Sequence, residues 1–133
     1  MRYLLDTCTL LWVIKGTRRR IPRAALAAIE SPENEIWVST VSIWEMAIKV
    51  NLGKLELPQG VGNPFRTELQ KNRFRLLNVE YDHAGEVANL PSLKHRDPFD
   101  RLLIAQARVE RLTVITNDPN WSHPDYALNV VWK

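Results

Sequence analysis

The chain is 133 residues long, 45% hydrophobic, with a net charge of +3 and a pI near 9.2. That length is enough for one domain over residues 1–133 that buries roughly two-thirds of its unfolded surface, and a second domain is not expected. A lone cysteine, Cys8, excludes an internal disulfide and reads as a buried thiol. No apolar run approaches the roughly 20 residues of a membrane span, and no secretory signal opens the chain, so a soluble cytoplasmic protein is expected.

In chain order, Tyr3-Leu4-Leu5 is a short apolar run that stops at Asp6. Leu10 to Lys15 and Arg23 to Glu30 carry helical spacing, and Ile36-Trp37-Val38 forms a second apolar run closing at Ser39. Helical patterns follow over Ser42 to Val50 and Phe65 to Lys71, separated by a stretch from Leu57 to Pro64 rich in turn formers. Arg75 to Val79 is a weaker strand, and Asp82 to Asn89 a helix. Asp97 and Pro98 make an N-cap and first turn for a helix reaching Glu110, with Leu102, Ala105 and Val109 on its apolar stripe. Thr113 to Thr116 is β-branched throughout and ends in the turn signal Asn117-Asp118-Pro119, and Leu128 to Trp132 supplies a last strand. Strands alternate with helices, and the strands are apolar without polar alternation. The expected fold is α/β: a mostly parallel sheet of four to five strands, joined by right-handed crossovers and flanked by helices on both faces.

Acids fall where these elements end. Asp6 follows the first strand, Glu45 is expected in the first turn of the helix after the second, Asp100 in the first turn of the Pro98 helix, and Asp118 after the Thr113 strand. The carboxyl ends of parallel strands share one edge, where ligands bind in open α/β sheets. Four carboxylates meeting there repel one another unless a cation neutralises them. Oxygen-only donors suit Mg²⁺ or Mn²⁺. His83, His95 and His123 are scattered among polar neighbours and read as surface groups, so no zinc set is expected.

Each acid also has a purely structural explanation. Ser42-Ile43-Trp44-Glu45 matches a capping box, Asp97 caps its helix, Asp100 is favoured by the helix dipole, and Asp6 and Asp118 can brace turns. Taken singly, these explanations compete well. The joint pattern of four segments, each bringing an acid to the same edge, is what favours a metal site.

Leu4-Leu5-Asp6-Thr7, Val41 to Lys49, His95 to Ala107 and Thr116-Asn117-Asp118 together resemble PIN-domain ribonucleases, the VapC-type toxins of toxin–antitoxin pairs, nearly end to end. The stretch from His95 to Ala107 is the most specific. The resemblance implies a catalytic, metal-binding quartet at Asp6, Glu45, Asp100 and Asp118, with Asp97 in the longer signature around the third acid. It further implies one or two Mg²⁺ or Mn²⁺ ions, RNA as substrate, a homodimer, and inhibition by a VapB-like antitoxin. Asn117 departs from the pattern, which more often has a basic residue before the last acid.

Such a site hydrolyses a phosphodiester by activating water and polarising phosphoryl oxygens. Thr7 and Thr116 stand beside two of the acids and can hold ligands or water through their hydroxyls. Arg101 is a candidate phosphate contact, and the clusters Arg18 to Arg20 and Lys94 to Arg96 can steer RNA. Trp12, Trp37 and Trp44 read as core or dimer contacts, whereas Trp121, near Asp118, could reach a base. Two rivals stand beside the nuclease. Asp6-Thr7-Cys8-Thr9 superficially resembles the opening of aspartyl-nucleophile phosphatases, but Cys8 occupies the place of their second acid. The other rival is a catalytically silent module that binds RNA or protein.

Overall fold

In a computed structural model, residues 1–92 and 97–133 are described; the Lys94-His95-Arg96 cluster lies outside them. Among the described residues five strands and six helices follow in the order β1 (Arg2–Leu5), α1 (Thr7–Ile14), α2 (Arg23–Glu30), β2 (Glu35–Ser39), α3 (Thr40–Asn51), α4 (Asn63–Lys71), β3 (Phe74–Leu77), α5 (Tyr81–Glu86), α6 (Pro98–Glu110), β4 (Thr113–Ile115) and β5 (Val130–Val131). Short 3₁₀ turns occupy Arg18–Arg20, Val87–Asn89, Pro119–Ser122 and Pro124–Tyr126. The sheet order is β3-β2-β1-β4-β5, and every neighbouring pair is parallel. The α/β class and the flanking helices match the expectation from sequence.

Alternation along β1 divides the core between the two faces of the sheet. Tyr3 and Leu5 pack with Leu10, Val13, Ala25, Ile29, Met46, Phe65 and Leu69, which places α1 to α4 on one side. Leu4 and Val114 pack with Leu103, Ile104, Ala107, Trp121 and Tyr126, which places α6 on the other. Both faces are covered, which explains why the strands read as continuous apolar runs.

Element ends differ from the sequence reading where side chains cap the chain. The first helix starts at Thr7 rather than Leu10, because the Asp6 carboxylate accepts the Thr9 N–H at 2.8 Å. The helix after β2 starts at Thr40, capped by Ser39, whose hydroxyl accepts the Val41 N–H. Glu45 therefore lies in the second turn of α3, and the expected capping box at Ser42 does not form. The helix expected to run to Asn89 tightens into a 3₁₀ turn from Val87. The cap by Asp97 is as expected, its Oδ1 accepting the N–H groups of both Phe99 and Asp100.

His83 corrects the expectation of a surface group, since it is fully buried. Its Nδ1 accepts the Glu80 N–H at 2.9 Å, which leaves Nε2 to donate to Glu110 at 2.7 Å. Gln106 reaches the same Nδ1 from α6 and accepts from Ser39, linking α5 and α6 to the cap of α3. With every polar atom of the ring engaged, a histidine can be buried beside apolar neighbours.

Core packing at α6 sets a direct stability expectation. Leu103 is fully buried, so Leu103→Ala should lower the unfolding free energy in urea by about 2–5 kcal/mol. Val109, 37% exposed on the same helix, should tolerate alanine within about 0.5 kcal/mol.

Candidate active site

The sheet order makes β1 the turning point of the chain: the connection through α1 and α2 leads to β2 on one side, while β4 arrives on the other. An opening lies beyond the carboxyl ends of β1 and β4, the place where open α/β sheets bind ligands. The opening here is a hollow of about 360 Å³, lined by Asp6, Glu45, Asp97, Asp100 and Asp118 together with Thr7, Cys8, Asn117, Pro119 and Trp121. Five acids from four stretches of chain meet there, and no arginine or lysine among the described residues lines it.

Asp6 is the most constrained of them. It is 6% exposed and tied to the sheet through its N–H, which donates to the Ile115 carbonyl at 3.2 Å. One carboxylate oxygen accepts the Thr9 N–H at 2.8 Å, and the other accepts the Thr116 hydroxyl at 2.6 Å. Thr116 in turn accepts the Asp118 N–H, so the end of β4 holds both acids in register. Burial raises the Asp6 pKa above the ordinary carboxylate value; the bonds from Thr116 and Thr9 oppose the rise, and the charge of Asp118 adds to it.

Glu45 is also buried. Its Oε1 accepts the Thr7 hydroxyl at 2.8 Å, and Oε2 pairs with Lys49, one helical turn on, at 3.0 Å. That hydrogen bond, foremost, raises the Lys49 pKa. The Thr7 oxygen also lies 2.9 Å from the Ser42 hydroxyl, so α1 and α3 are latched beside the acid. Asp118 caps the 3₁₀ turn that follows it, accepting the Asn120 N–H at 2.9 Å, and remains half-buried at the rim, as does Asp100 on α6. Structural capping and a shared hollow thus coexist: Asp6, Asp97 and Asp118 are all caps, and all line it.

The thiol of Cys8 reports how the acids share one field. Partial burial of the sulfur raises its pKa first, and Asp6, Glu45 and Asp100 all raise it further, against the opposing effect of Lys49. Cys8 is an exposed residue at the hollow, not the buried thiol expected from sequence, and its surroundings favour the protonated thiol over the thiolate.

Other assignments change. Trp121 lines the hollow but is 1% exposed and packed in the core, so it offers no free face to a base. Arg101 turns both terminal nitrogens toward the Pro91 carbonyl at 3.3 Å and does not line the hollow. Trp12 and Trp37 are half-buried, whereas Trp44 is 58% exposed with its ring edge-on to Phe99. Asn117 lines the hollow and is exposed. Thr7 and Thr116 each tether an acid that is not their neighbour in sequence, Thr7 holding Glu45 and Thr116 holding Asp6.

The donor set fits a hard divalent cation in kind, because it consists of carboxylate and hydroxyl oxygens. It fits electrostatically as well, since Asp6 is buried beside other acids of the hollow, and burial together with the charge of Asp118 makes its ionisation costly. Among the described residues, no three acids close on a single point, so the hollow is a loose cluster rather than a finished cage.

The PIN domain family profile matches residues 3–125, and the chain belongs to that family. Solved structures of similar fold include VapBC2 from Rickettsia felis bound to a promoter DNA fragment, at TM-score 0.73 and 17% identity over 100% of both chains. VapBC-1 from nontypeable Haemophilus influenzae is similar at TM-score 0.68 and 19% identity, covering 98% of this chain and 97% of that one. A toxin–antitoxin complex from Klebsiella pneumoniae is 25% identical at TM-score 0.61, covering 97% and 95%. No curated protein matches in sequence.

The raised pKa of Asp6 has a sign that can be checked. A carboxyl whose folded-state pKa exceeds its unfolded value contributes stability below the unfolded value, and that contribution is lost as pH rises through the folded one. In chelator, Asp6→Asn should therefore melt no lower than the natural chain at neutral pH, and higher by up to a few degrees. The advantage should shrink as the pH falls below the carboxylate range. A variant clearly less stable at neutral pH would show that the charge is stabilised by its threonine partners.

Proposed function

We propose that this protein is a divalent-metal-dependent ribonuclease of the VapC type, the toxin of a toxin–antitoxin pair, with Asp6, Glu45, Asp100 and Asp118 as its working acids. The observation that carries the reading is the meeting of these acids around one hollow at the carboxyl edge of a PIN-domain sheet. The three toxin–antitoxin structures of similar fold support the choice of class. On this reading the chain works as one domain in the cytoplasm, with a VapB-like antitoxin and a second copy of itself as partners.

The four acids would hold Mg²⁺ or Mn²⁺, as one or two ions. Bound there, such an ion supplies the Lewis acidity that phosphodiester hydrolysis needs at neutral pH. The chain's own contribution is preorganisation. Thr9 and Thr116 fix both oxygens of Asp6, so this carboxylate does not have to reorient when a cation or phosphate arrives. Thr7 and Lys49 do the same for Glu45. Asp100 and Asp118, at the rim, are the acids a phosphate approaching from solvent meets first. Asp97 fixes the first turn of α6 and with it the position of Asp100.

Incubation with RNA and added Mg²⁺ or Mn²⁺ should give cleavage that chelator abolishes. Asp100→Asn should reduce the rate by about a hundredfold or more while leaving the melting curve intact. Thr116→Val, which removes the tether on Asp6, should cost about 10–100-fold through weaker metal affinity, recovered in part at high metal. RNA bound but never cut under these conditions, with the acids intact, would identify a silent binding module instead.

A further inference from the structure

At the opposite edge of the sheet, the charged residues that line one concavity are mostly cations. Where the amino ends of β2 and β3 meet the last turns of α2 and α4, the surface folds into a concavity of about 520 Å³. Arg18, Lys71, Arg73 and Arg75 line it against a single carboxylate, Glu30, with Asn72 among them. Arg18 is already fixed: one terminal nitrogen meets Glu30 at 3.3 Å and the other the Asn72 side-chain oxygen at 3.4 Å. Arg75 lies against the Trp37 ring, 5.8 Å from its centre. Lys71 and Arg73 have no ion pair among the described residues. Once Arg18 is set against Glu30, three positive charges are left, as many as the net +3 of the whole chain.

A bland explanation accounts for part of this. Lys71 is in the last turn of α4, where the helix dipole favours a cation on its own. Arg73 and Arg75 lie beyond the helix and need another reason. Arg73 is also left-handed, at φ 62°, in the place after a helix that glycine takes without cost. A long cation at a position that favours glycine, on the wall of a concavity already rich in positive charge, is a local cost that a bound anion would offset.

We propose that this concavity is a phosphate-binding site, separate from the acid hollow, which takes a phosphate group of a nucleic-acid backbone or of a free phosphate compound. The acid hollow repels phosphates in the absence of a cation and has no arginine or lysine among its described lining residues. Cations elsewhere on the surface can add affinity for a polyanion, and charge neutralisation at Lys and Arg is its usual source. Both asparagines at the rim spend their amide nitrogens on backbone carbonyls, Asn34 on Ala28 and Asn72 on Glu68, so the rim is fixed and the cations supply the recognition. The proposal concerns binding and does not depend on catalysis in the acid hollow.

The test uses the full chain in chelator, with a fluorescent oligodeoxythymidylate that has no 2′-hydroxyl and so is not a ribonuclease substrate. Inorganic phosphate and AMP serve as separate probes. The double variant Lys71→Gln/Arg73→Gly should weaken oligonucleotide binding by about tenfold or more and lower its salt slope by about 1 to 2. Its melting temperature should not fall, since glycine suits the left-handed position. Arg66→Gln, an exposed control away from the concavity, should change binding little. If phosphate or AMP instead binds saturably, competes with the oligonucleotide and is lost in the same double variant, the site stands with a free phosphate as its ligand. The proposal is overturned if Arg66→Gln weakens binding as much per charge removed, or if neither oligonucleotide nor phosphate binds the natural chain.

Discussion

Asp6, buried at the end of β1 and gripped by the Thr9 N–H and the Thr116 hydroxyl, is the contact on which the rest of the site depends. It joins the first strand to the fourth at the point where the sheet order reverses, and it starts the first helix. A carboxylate in that position is costly to ionise, and the charge of Asp118 makes it more so. Its two hydrogen bonds reduce the cost without cancelling it. The carboxylates around the hollow therefore form an arrangement whose electrostatics favour a bound cation, while their caps and tethers keep the fold intact without one.

Much of this was legible because chain chemistry marks the ends of elements. Asp97-Pro98 announces α6, and Asn117-Asp118-Pro119 announces the end of β4, so Asp100 and Asp118 could be placed from local signals. The α/β class followed from strands that are apolar on both faces. The start of α3 is hidden in the sequence because Ser42 imitates a cap, whereas the true cap is Ser39, the last residue of the preceding strand. The resulting shift moves Glu45 from a first-turn position, where capping would explain it, into a second turn facing Thr7 and the hollow.

Tertiary partners explain the rest of what the sequence concealed. His83 sits in a polar stretch, and only the acceptors and donors brought by Glu80, Gln106 and Glu110 allow it to be buried. Trp121 lies three residues from Asp118 in sequence, yet the 3₁₀ turn at Pro119 folds its ring into the core. The Arg18 cluster was visible as a run of charge, but its neighbours Lys71, Arg73 and Arg75 come from a segment more than fifty residues away. A parallel sheet gives the molecule two chemically distinct edges, and here a hollow at one is lined by acids, while the charged residues of a concavity at the other are mostly cations.

The most direct test of the central claim is a titration of the metal-free protein with Mn²⁺, followed by its thermal unfolding. If the acid hollow is a cation site, the unfolding midpoint should rise with Mn²⁺, reaching about 2.7 kcal/mol of added stability at a hundredfold excess over the dissociation constant. The rise should vanish when Asp6 and Asp100 are both replaced by asparagine. A midpoint indifferent to Mn²⁺ in the natural chain, or one that rises equally in the doubly substituted chain, would contradict the account.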